Sequence, residues 1–184
     1  PYVSLKANEF TDMICVEGIK RISRSLITAY ENGNDLLARK DMSFASLLGG
    51  LALANAGLGA IHGLAGPIGG QISAPHGAVC AQLLPFVIQK NIESLLATDP
   101  SNKVIRRYFD IFDMLRISGD SFEEKMLGLK DINTKLSIQP LSSYGMTKAH
   151  IPELIEMALR SSSMKANPIQ LTPDAIQDIL YQAL

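Results

Sequence analysis

Apolar residues recur at helical rather than strand spacing along almost the whole chain. The first run places its apolar side chains on one helical face, formed by Val16, Ile19, Ile22, Leu26 and Tyr30. Asn8 or Thr11 can cap this helix, and NGND at 32–35 predicts a turn before a second helix from Leu36 to about Asn55. Period-2 alternation is missing, and only YVSL near the start and LSIQ near 136 resemble short extended segments. We therefore predict an all-α fold.

Later helix starts are marked by capping residues and by proline in the first turn. They are Asp99 with Pro100, Ser121 with Glu124 in a capping-box arrangement, the region of Pro152, and Thr172 with Pro173. The Ser-rich segment SSSMKANP at 161–168 is interpreted as a surface turn. No repeat, heptad pattern or low-complexity tract divides the chain, so we expect residues 1–184 to form one helical domain.

The middle of the chain lacks charge: no Asp, Glu, Lys or Arg lies between Met42 and Gln89, although 19% of all residues are charged. Polar residues and prolines interrupt every window of about 20 residues in this segment, which argues against a membrane span. A pair of central helices surrounded by the rest of the domain explains the missing charge, because charged groups are costly to bury.

The same segment contains nine of the 14 glycines, and each glycine inside a helix costs about 1 kcal/mol relative to alanine. GPIGG at 66–70, with Pro75 beyond it, is expected to end any helix. His62 would then lie near the end of one helix and His76 at the start of the next, so that their imidazoles converge across the break. Neutral imidazole is the commonest protein ligand for iron and zinc, so the pair forms a candidate metal site.

The sequence leaves other interpretations of these side chains open. Buried histidines are more often hydrogen-bonded core residues than ligands, and a metal site needs at least one donor besides His62 and His76. Cys80 lies four residues after His76 on the same helical face, where it is either a packing residue or a third ligand of a self-contained site. His150, beside Pro152 at a predicted helix start, is interpreted as a surface or capping residue.

Composition narrows the expected partners and location. The 17 basic and 18 acidic residues give a formal net charge of −1, so neither nucleic acid nor an anionic membrane is an expected partner. Cys15 and Cys80 match no zinc-ribbon or disulfide pattern, which favours a reducing, cytoplasmic location. The segment PYVSLKANEF has neither the basic nor the apolar region of a secretory signal.

The string NAGLGAIHGLAGPIGGQISAPHGAVCAQLLP, from Asn55 to Pro85, closely resembles the signature region of the iron-containing (group III) alcohol dehydrogenases. That family's pattern has a ligand histidine after G-L-G-x-x and a second in P-H-G, fourteen positions later, and His62 and His76 have this spacing and these surroundings. NEFTDMICVEGIKRI, NDLLARKDMSFASLLGGLALANAGLG and NPIQLTPDAIQDIL are similar to other parts of the family's C-terminal half. The resemblance extends over essentially the whole chain.

The resemblance implies the helical C-terminal domain of the iron-containing alcohol dehydrogenase and dehydroquinate synthase-like fold, without the N-terminal Rossmann-like domain. It implies Fe²⁺ or Zn²⁺ held by His62 and His76, with an Asp and a His of a D-x-x-x-H motif upstream of Tyr2 as the other ligands. NAD or NADP would be bound mainly by the missing N-terminal domain, which is thereby a partner of this one. The implied substrate is a small alcohol or aldehyde, and the oligomeric state, a homo-oligomer included, stays open.

Two positions bear on the substrate. Many family members carry a second, non-ligand histidine four residues after the first ligand, thought to relay protons, and here that position is Gly66. A proton route through this residue is therefore excluded. Leu53 matches a position that lines the pocket in some relatives, so Leu53 and Gly66 are assigned to a substrate pocket, with ordinary core packing as the alternative for Leu53. GPIGG follows no predicted strand and is interpreted as a bend rather than a dinucleotide site.

These observations lead to one hypothesis and one alternative. The intact protein is expected to be a metal-dependent oxidoreductase that transfers hydride between an alcohol or aldehyde and NAD or NADP. This chain then supplies no catalytic residue beyond the metal ligands, and residues 1–184 alone are expected to be inactive. The alternative, motivated by Gly66 and by the start at Pro1, is a non-catalytic helical binding or interaction domain derived from the family.

Overall fold

The computed structural model describes all 184 residues. It contains eight α-helices, three short 3-10 helices and no β-strand, which confirms the predicted all-α fold. The α-helices are α1 Glu9–Glu31, α2 Leu36–Ala56, α3 Ala60–Gln71, α4 His76–Thr98, α5 Lys103–Met114, α6 Phe122–Lys135, α7 Ile151–Arg160 and α8 Pro173–Ala183. The 3-10 helices are Leu141–Tyr144, Lys148–His150 and Ser162–Ala166.

The backbone groups into two compact units, one made of residues 1–57 and 106–136 and the other of residues 58–105 and 137–184. The first unit contains α1, α2, α6 and most of α5, whereas the second contains α3, α4, α7 and α8. The single helical domain 1–184 stays a prediction.

Most helix starts follow the capping residues identified in the sequence. Thr11 N donates to Asn8 Oδ1 (3.1 Å) while Asn8 N donates to Thr11 Oγ1 (2.9 Å), so both predicted residues cap α1 in one capping box. Ser121 and Glu124 form the second box at α6. Thr172 Oγ1 accepts from the third residue of α8, and proline occupies the first turn of both α7 and α8.

The helix start predicted at Asp99 is wrong. Asp99 is the C-cap of α4, and its N–H still donates to Leu95 O. The carboxylate of Asp99 accepts from Ser101 Oγ at 2.7 Å and from Asn102 Nδ2 at 3.2 Å, forming a turn in place of a first helical turn. Asn102 Oδ1 accepts from Val104 N at 3.0 Å, so α5 begins after a different capping residue.

The predicted first helix is present as α1, but the apolar residues that mark its face are not the ones fully buried; Val16, Ile19, Ile22 and Leu26 are half-buried. The buried residues of α1 are Thr11, Ile14, Gly18 and Ser25, and those of α2 are all alanines, Ala38, Ala45, Ala52 and Ala56. Small side chains let the two helix backbones approach closely: a Cβ built on Gly18 would lie only 3.7 Å from Leu48 Cβ. Tyr30, a member of the predicted face, is 52% exposed.

An ionic cluster reinforces the packing of α1 against α2. Asp41 on α2 accepts hydrogen bonds from Arg21 (2.7 Å) and Arg24 (2.6 Å) and from Ser25 Oγ (2.8 Å), all on α1. The Arg24 guanidinium and the Ser25 hydroxyl hold the pKa of the Asp41 carboxyl well below its usual range. Arg21 also lies 4.5 Å from the centre of the Phe44 ring, as in a cation–π contact.

The core of the second unit is built on α3 and α4. Its fully buried apolar side chains include Leu64 and Ile68 of α3, Leu83 of α4, Leu154 of α7 and Ile179 of α8. The interpretation of the uncharged segment as buried central helices therefore holds for one face each of α3 and α4, whereas Gly66, Gly69 and Gly70 of α3 are exposed. It is wrong for α2, where large apolar side chains remain exposed, namely Phe44, Leu47, Leu51 and Leu53.

The remaining local expectations have mixed outcomes. Neither YVSL nor LSIQ forms a strand; residues 2 and 3 lie in a turn, and Leu136 is the C-cap of α6. The Ser-rich segment forms the 3-10 helix Ser162–Ala166 in place of a simple turn. No single helix is both long and apolar enough to cross a membrane; α2 and α3 meet that standard only when taken together across the break between them.

Candidate metal centre

Helix α3 continues through GPIGG without a break, so the predicted break at 66–70 is wrong. His62 therefore lies near the beginning of a helix. The break falls instead at residues 72–75, and His76 is the first residue of α4, as predicted. Pro67 removes one backbone donor from α3, but Leu64 and Ile68 occupy successive turns of its buried face. Burial of that face outweighs the intrinsic cost of proline and glycine in a helix.

The start of α3 is held by side chains that are distant in sequence. Gly59 precedes the helix and provides no side-chain cap. Asn167 Oδ1 accepts a hydrogen bond from Ala60 N at 3.1 Å, and Asn167 Nδ2 donates to Asn91 Oδ1 at 2.8 Å. Both asparagines are buried, with exposures of 2% for Asn91 and 4% for Asn167. The turn that carries His62 is thus connected to α4 and to the segment before α8.

Sequence reasoning missed this asparagine pair. The available signal was Asn91, a polar residue surrounded along α4 by the buried apolar residues Val87, Ile88, Ile92 and Leu95. A polar side chain at a core position of a helix needs a partner, because an unpaired buried amide is costly. The sequence could have marked Asn91 as paired, but it could not name Asn167 as the partner.

His62 and His76 converge across the break between α3 and α4. Their ring centroids lie 5.4 Å apart with the planes inclined by 54°. Cys80, one turn along α4 from His76, places its Sγ 3.5 Å from His76 Nε2 and 3.9 Å from His62 Nε2. The three donor atoms all lie within 4.8 Å of one another. The structure thus brings both predicted ligands and Cys80 together in one group.

The surroundings of His62 favour its neutral imidazole. Burial lowers the pKa of His62, and the neighbouring His76 lowers it further. Burial raises the pKa of the Cys80 thiol. A metal ion needs the unprotonated nitrogen and the deprotonated sulfur as donors, so His62 is prepared for ligation, while Cys80 must lose a proton to take part. The donor set of two imidazoles and a thiol fits a transition metal and not Mg²⁺ or Ca²⁺.

The surface of α3 next to His62 carries almost no side chains. Gly66, Gly69 and Gly70 are exposed, and a Cβ built on any of them would meet no atom within 4 Å. Gly63 is different, because a Cβ there would lie 2.4 Å from Met164 Sδ. One set of glycines therefore leaves the helix surface open, and Gly63 permits close packing on the buried side.

The other residues singled out in the sequence are not part of this group. Gly66 lines an open recess of about 420 Å³ together with Pro67, Met157, Arg160 and Ser161. Leu53 lies on α2, in the unit of residues 1–57 and 106–136, and is 41% exposed, so it is not a core residue of that unit. The substrate pocket assigned to Leu53 and Gly66 stays a prediction. His150 accepts a hydrogen bond from Thr147 N at 3.0 Å through Nδ1, which confirms its interpretation as a capping residue.

Comparison with known proteins gives a consistent result. The Fe-containing alcohol dehydrogenase family, C-terminal, matches residues 1–184. Alcohol dehydrogenase 4 of Saccharomyces cerevisiae is 33% identical over 183 residues, covering 99% of this chain and 46% of that protein. The 1,3-propanediol dehydrogenase of Klebsiella pneumoniae is 33% identical over 189 residues, again with 99% and 46% coverage.

A solved structure agrees with these matches. The crystal structure of a 1,3-propanediol oxidoreductase superposes with a TM-score of 0.87 at 33% identity, covering 100% of this chain and 47% of that one. The chain therefore spans about half the length of the relatives that it matches, and its helices follow the course of the helical half of that enzyme.

Proposed function

Because the chain belongs to the Fe-containing alcohol dehydrogenase family, we propose that His62 and His76 hold a catalytic divalent metal ion, Fe²⁺ or Zn²⁺, in a NAD(P)-linked alcohol dehydrogenase. The observation that carries this proposal is the convergence of the two imidazoles, 5.4 Å apart between ring centroids. They come from the first turns of two successive helices, α3 and α4. Two histidines with independent structural roles would not be expected to lie this close together at the starts of two helices.

A divalent ion held by His62 and His76 would supply Lewis-acid polarisation of the substrate oxygen for hydride transfer to or from the nicotinamide. Residues of this chain would position the metal ion. His62 offers an unprotonated nitrogen, since burial lowers its pKa. Asn167 fixes the helix turn that carries His62 by accepting the hydrogen bond from Ala60 N.

The proposed substrate is a small alcohol or aldehyde. The named relatives are alcohol and propanediol dehydrogenases, which supports this substrate class. The exposed glycine surface of α3, at Gly66, Gly69 and Gly70, lets a substrate or cofactor approach the backbone without displacing side chains. Gly66 is proposed to line the substrate pocket, since it lines an open recess on α3. Gly66 has no imidazole, so protons must leave by another group or by water.

NAD or NADP is proposed to bind mainly to an upstream Rossmann-like domain. Two facts support this assignment: the chain contains no strand to carry a phosphate-binding loop, and it covers only 46% of each named relative. The same upstream segment would supply the Asp and His of the D-x-x-x-H motif as the remaining ligands.

The direct test is NAD(P)-linked turnover of a protein that joins this chain to the upstream half of its relatives. We expect oxidation of short alcohols that is lost on chelation and restored by Fe²⁺ or Zn²⁺, whereas residues 1–184 alone give no turnover. His62→Ala and His76→Ala should abolish activity, and His150→Ala should retain it, because His150 only caps a 3-10 helix. A folded joined protein with neither metal nor turnover would favour the non-catalytic binding domain.

A further inference from the structure

The recess beside Gly66 contains one charged side chain that the proposed function does not use. Gly66 and Pro67 of α3 line it together with Met157, Arg160 and Ser161 at the C-terminal end of α7, and its volume is about 420 Å³. Pro67 and Met157 supply apolar surface, Ser161 a hydroxyl donor, and Arg160 a permanent positive charge. The recess therefore suits a ligand with an apolar body and an anionic end.

This recess lies one helical turn from His62. Gly66 follows His62 by four residues on α3, and residues four apart share one face of a helix. Four residues rise about 6 Å along the helix axis, a length that roughly five single bonds of an extended chain span. A Cβ built on Gly66 would meet no atom within 4 Å, so the helix surface there is open. A ligand whose oxygen is held beside His62 can therefore extend along α3 into the recess.

The guanidinium of Arg160 is only weakly paired. Arg160 Nη2 lies 3.8 Å from Glu156 Oε2, and the two side chains are 83% and 72% exposed. An ion pair this long and this exposed contributes little, so the guanidinium can turn to another oxyanion. Helix α3 brings no competing negative charge, because no acidic residue lies between Met42 and Gln89. Guanidinium binds carboxylate and phosphate best, through two parallel hydrogen bonds.

We propose that Arg160 binds a carboxylate at the far end of the substrate, so that the preferred substrates are ω-hydroxy acids of about four to six carbons and the corresponding aldehyde acids. This proposal rests on the proposed function, which places the reacting oxygen beside His62. In the oxidation, the carbinol carbon loses hydride to NAD⁺ or NADP⁺ and the hydroxyl loses its proton to solvent, which leaves an aldehyde. The carboxylate is unchanged, and Arg160 contributes binding and orientation only.

Paired kinetics test this proposal in the protein that joins this chain to the upstream half of its relatives. The substrates are 4-hydroxybutyrate, 5-hydroxypentanoate and 6-hydroxyhexanoate, each compared with the 1-alkanol of equal length. We expect kcat/KM to favour the acid in at least one pair. Arg160→Gln should lower that acid-to-alkanol ratio by about 5–30-fold, mainly through KM, because a hydrogen-bonded charge in an open recess is lost. Arg160→Lys should retain part of the preference, since it keeps the charge.

Two matched variants separate substrate binding from a structural role. Glu156→Gln removes the competing carboxylate and should raise the acid-to-alkanol ratio, the opposite sign to Arg160→Gln. Arg39→Gln removes an exposed arginine on α2 and should leave the ratio unchanged. Arg160 also lies in the last turn of α7, where a cation complements the helix dipole. Loss of that interaction alone would lower turnover of acid and alkanol equally, and this result in Arg160→Gln would overturn the proposal.

The cofactor carries the other oxyanion that a guanidinium can bind. If Arg160→Gln raises KM for NAD⁺ or NADP⁺ and leaves the acid-to-alkanol ratio unchanged, Arg160 contacts the phosphates of the cofactor and the proposal is wrong. Wild-type turnover of the alkanols without any preference for the acids would also refute it, while leaving the proposed function intact.

A binding measurement gives a result even without turnover. Phenylglyoxal modifies arginine, and mass spectrometry of the joined protein should show slower modification at Arg160 in saturating 6-hydroxyhexanoate but not in 1-hexanol. Arg39 is the internal reference and should react at the same rate throughout. Equal rates at Arg160 with and without the acid would exclude a carboxylate site there. Protection of Arg160 by the acid in a metal-loaded protein that oxidises no substrate would contradict the proposed function instead.

Discussion

Replacing Asn167 with alanine tests the network that holds the start of α3, and with it the position of His62. The side chain of Asn167 takes part in four hydrogen bonds. Its Oδ1 accepts from Ala60 N (3.1 Å) and Asn91 Nδ2 (3.3 Å), and its Nδ2 donates to Asn91 Oδ1 (2.8 Å) and Ile169 O (2.7 Å). Truncation removes all of them.

The expected cost follows from which groups lose their partners. Ala60 is 1% exposed and Asn91 2% exposed, so water reaches neither readily. A buried polar group left without its partner costs about 1–3 kcal/mol. Counting Ala60 N–H and the weakened Asn91 amide, and omitting the partly exposed Ile169 carbonyl, we expect Asn167→Ala to lower the free energy of unfolding by about 2–4 kcal/mol.

Urea unfolding followed by far-ultraviolet circular dichroism measures this change. The matched control is Gln170→Ala, three residues away on an exposed position, which should change the free energy of unfolding by less than about 0.5 kcal/mol. Asn167→Asp keeps an acceptor for Ala60 N but loses the donor to Asn91 Oδ1, so it should also be destabilising. If Asn167→Ala unfolds at the same urea concentration as Gln170→Ala, the network does not hold α3.

Two further predictions concern helix packing and charge. Gly69→Ala should raise the free energy of unfolding by about 0.5–1 kcal/mol, because helical glycine is unfavourable and the new Cβ meets no atom within 4 Å. Gly63→Ala should lack this gain, since its Cβ would lie 2.4 Å from Met164 Sδ. An equal gain in urea midpoint for both variants would contradict this packing. The pKa of Asp41 is lowered in the folded state, so its contribution to the free energy of unfolding is present above the unfolded pKa of about 3.9. This contribution is lost as the pH falls below that value. The stability difference between wild type and Asp41→Asn should therefore shrink between about pH 6 and about pH 3 in thermal melts, and a difference that grows on acidification would refute this assignment.

Local chemistry was readable from the sequence. The capping pairs Asn8 with Thr11 and Ser121 with Glu124, and the first-turn proline of α8, depend on residues only a few positions apart. The relation of Cys80 to His76 was equally local, since residues four apart share one helical face. Such features require no knowledge of what packs against the helix.

Tertiary packing decided the features that the sequence did not predict. GPIGG was expected to end a helix, but Leu64 and Ile68 bury the face of α3 and carry the helix past Pro67. The fully buried positions of α1 and α2 include Gly18 and the alanines of α2, which the spacing of large apolar residues does not predict. Asn167 lies 107 residues from Ala60, a separation that periodicity does not bridge.

The candidate site falls between these two cases. Spacing alone made His62 and His76 a candidate pair, and the resemblance gave them a role, but their approach depends on the turn at residues 72–75 and the start of α3. The nearness of Cys80 to His62, 18 positions away, likewise required the structure, because it joins two different helices.

Metal content of single-histidine variants tests the central claim most directly. In the protein that joins this chain to the upstream half of its relatives, inductively coupled plasma mass spectrometry should find about one Fe²⁺ or Zn²⁺ per wild-type chain. His62→Ala and His76→Ala should each lose the ion while circular dichroism shows an unchanged helical content, and His150→Ala should keep it. Full metal content in either His62→Ala or His76→Ala would contradict the account.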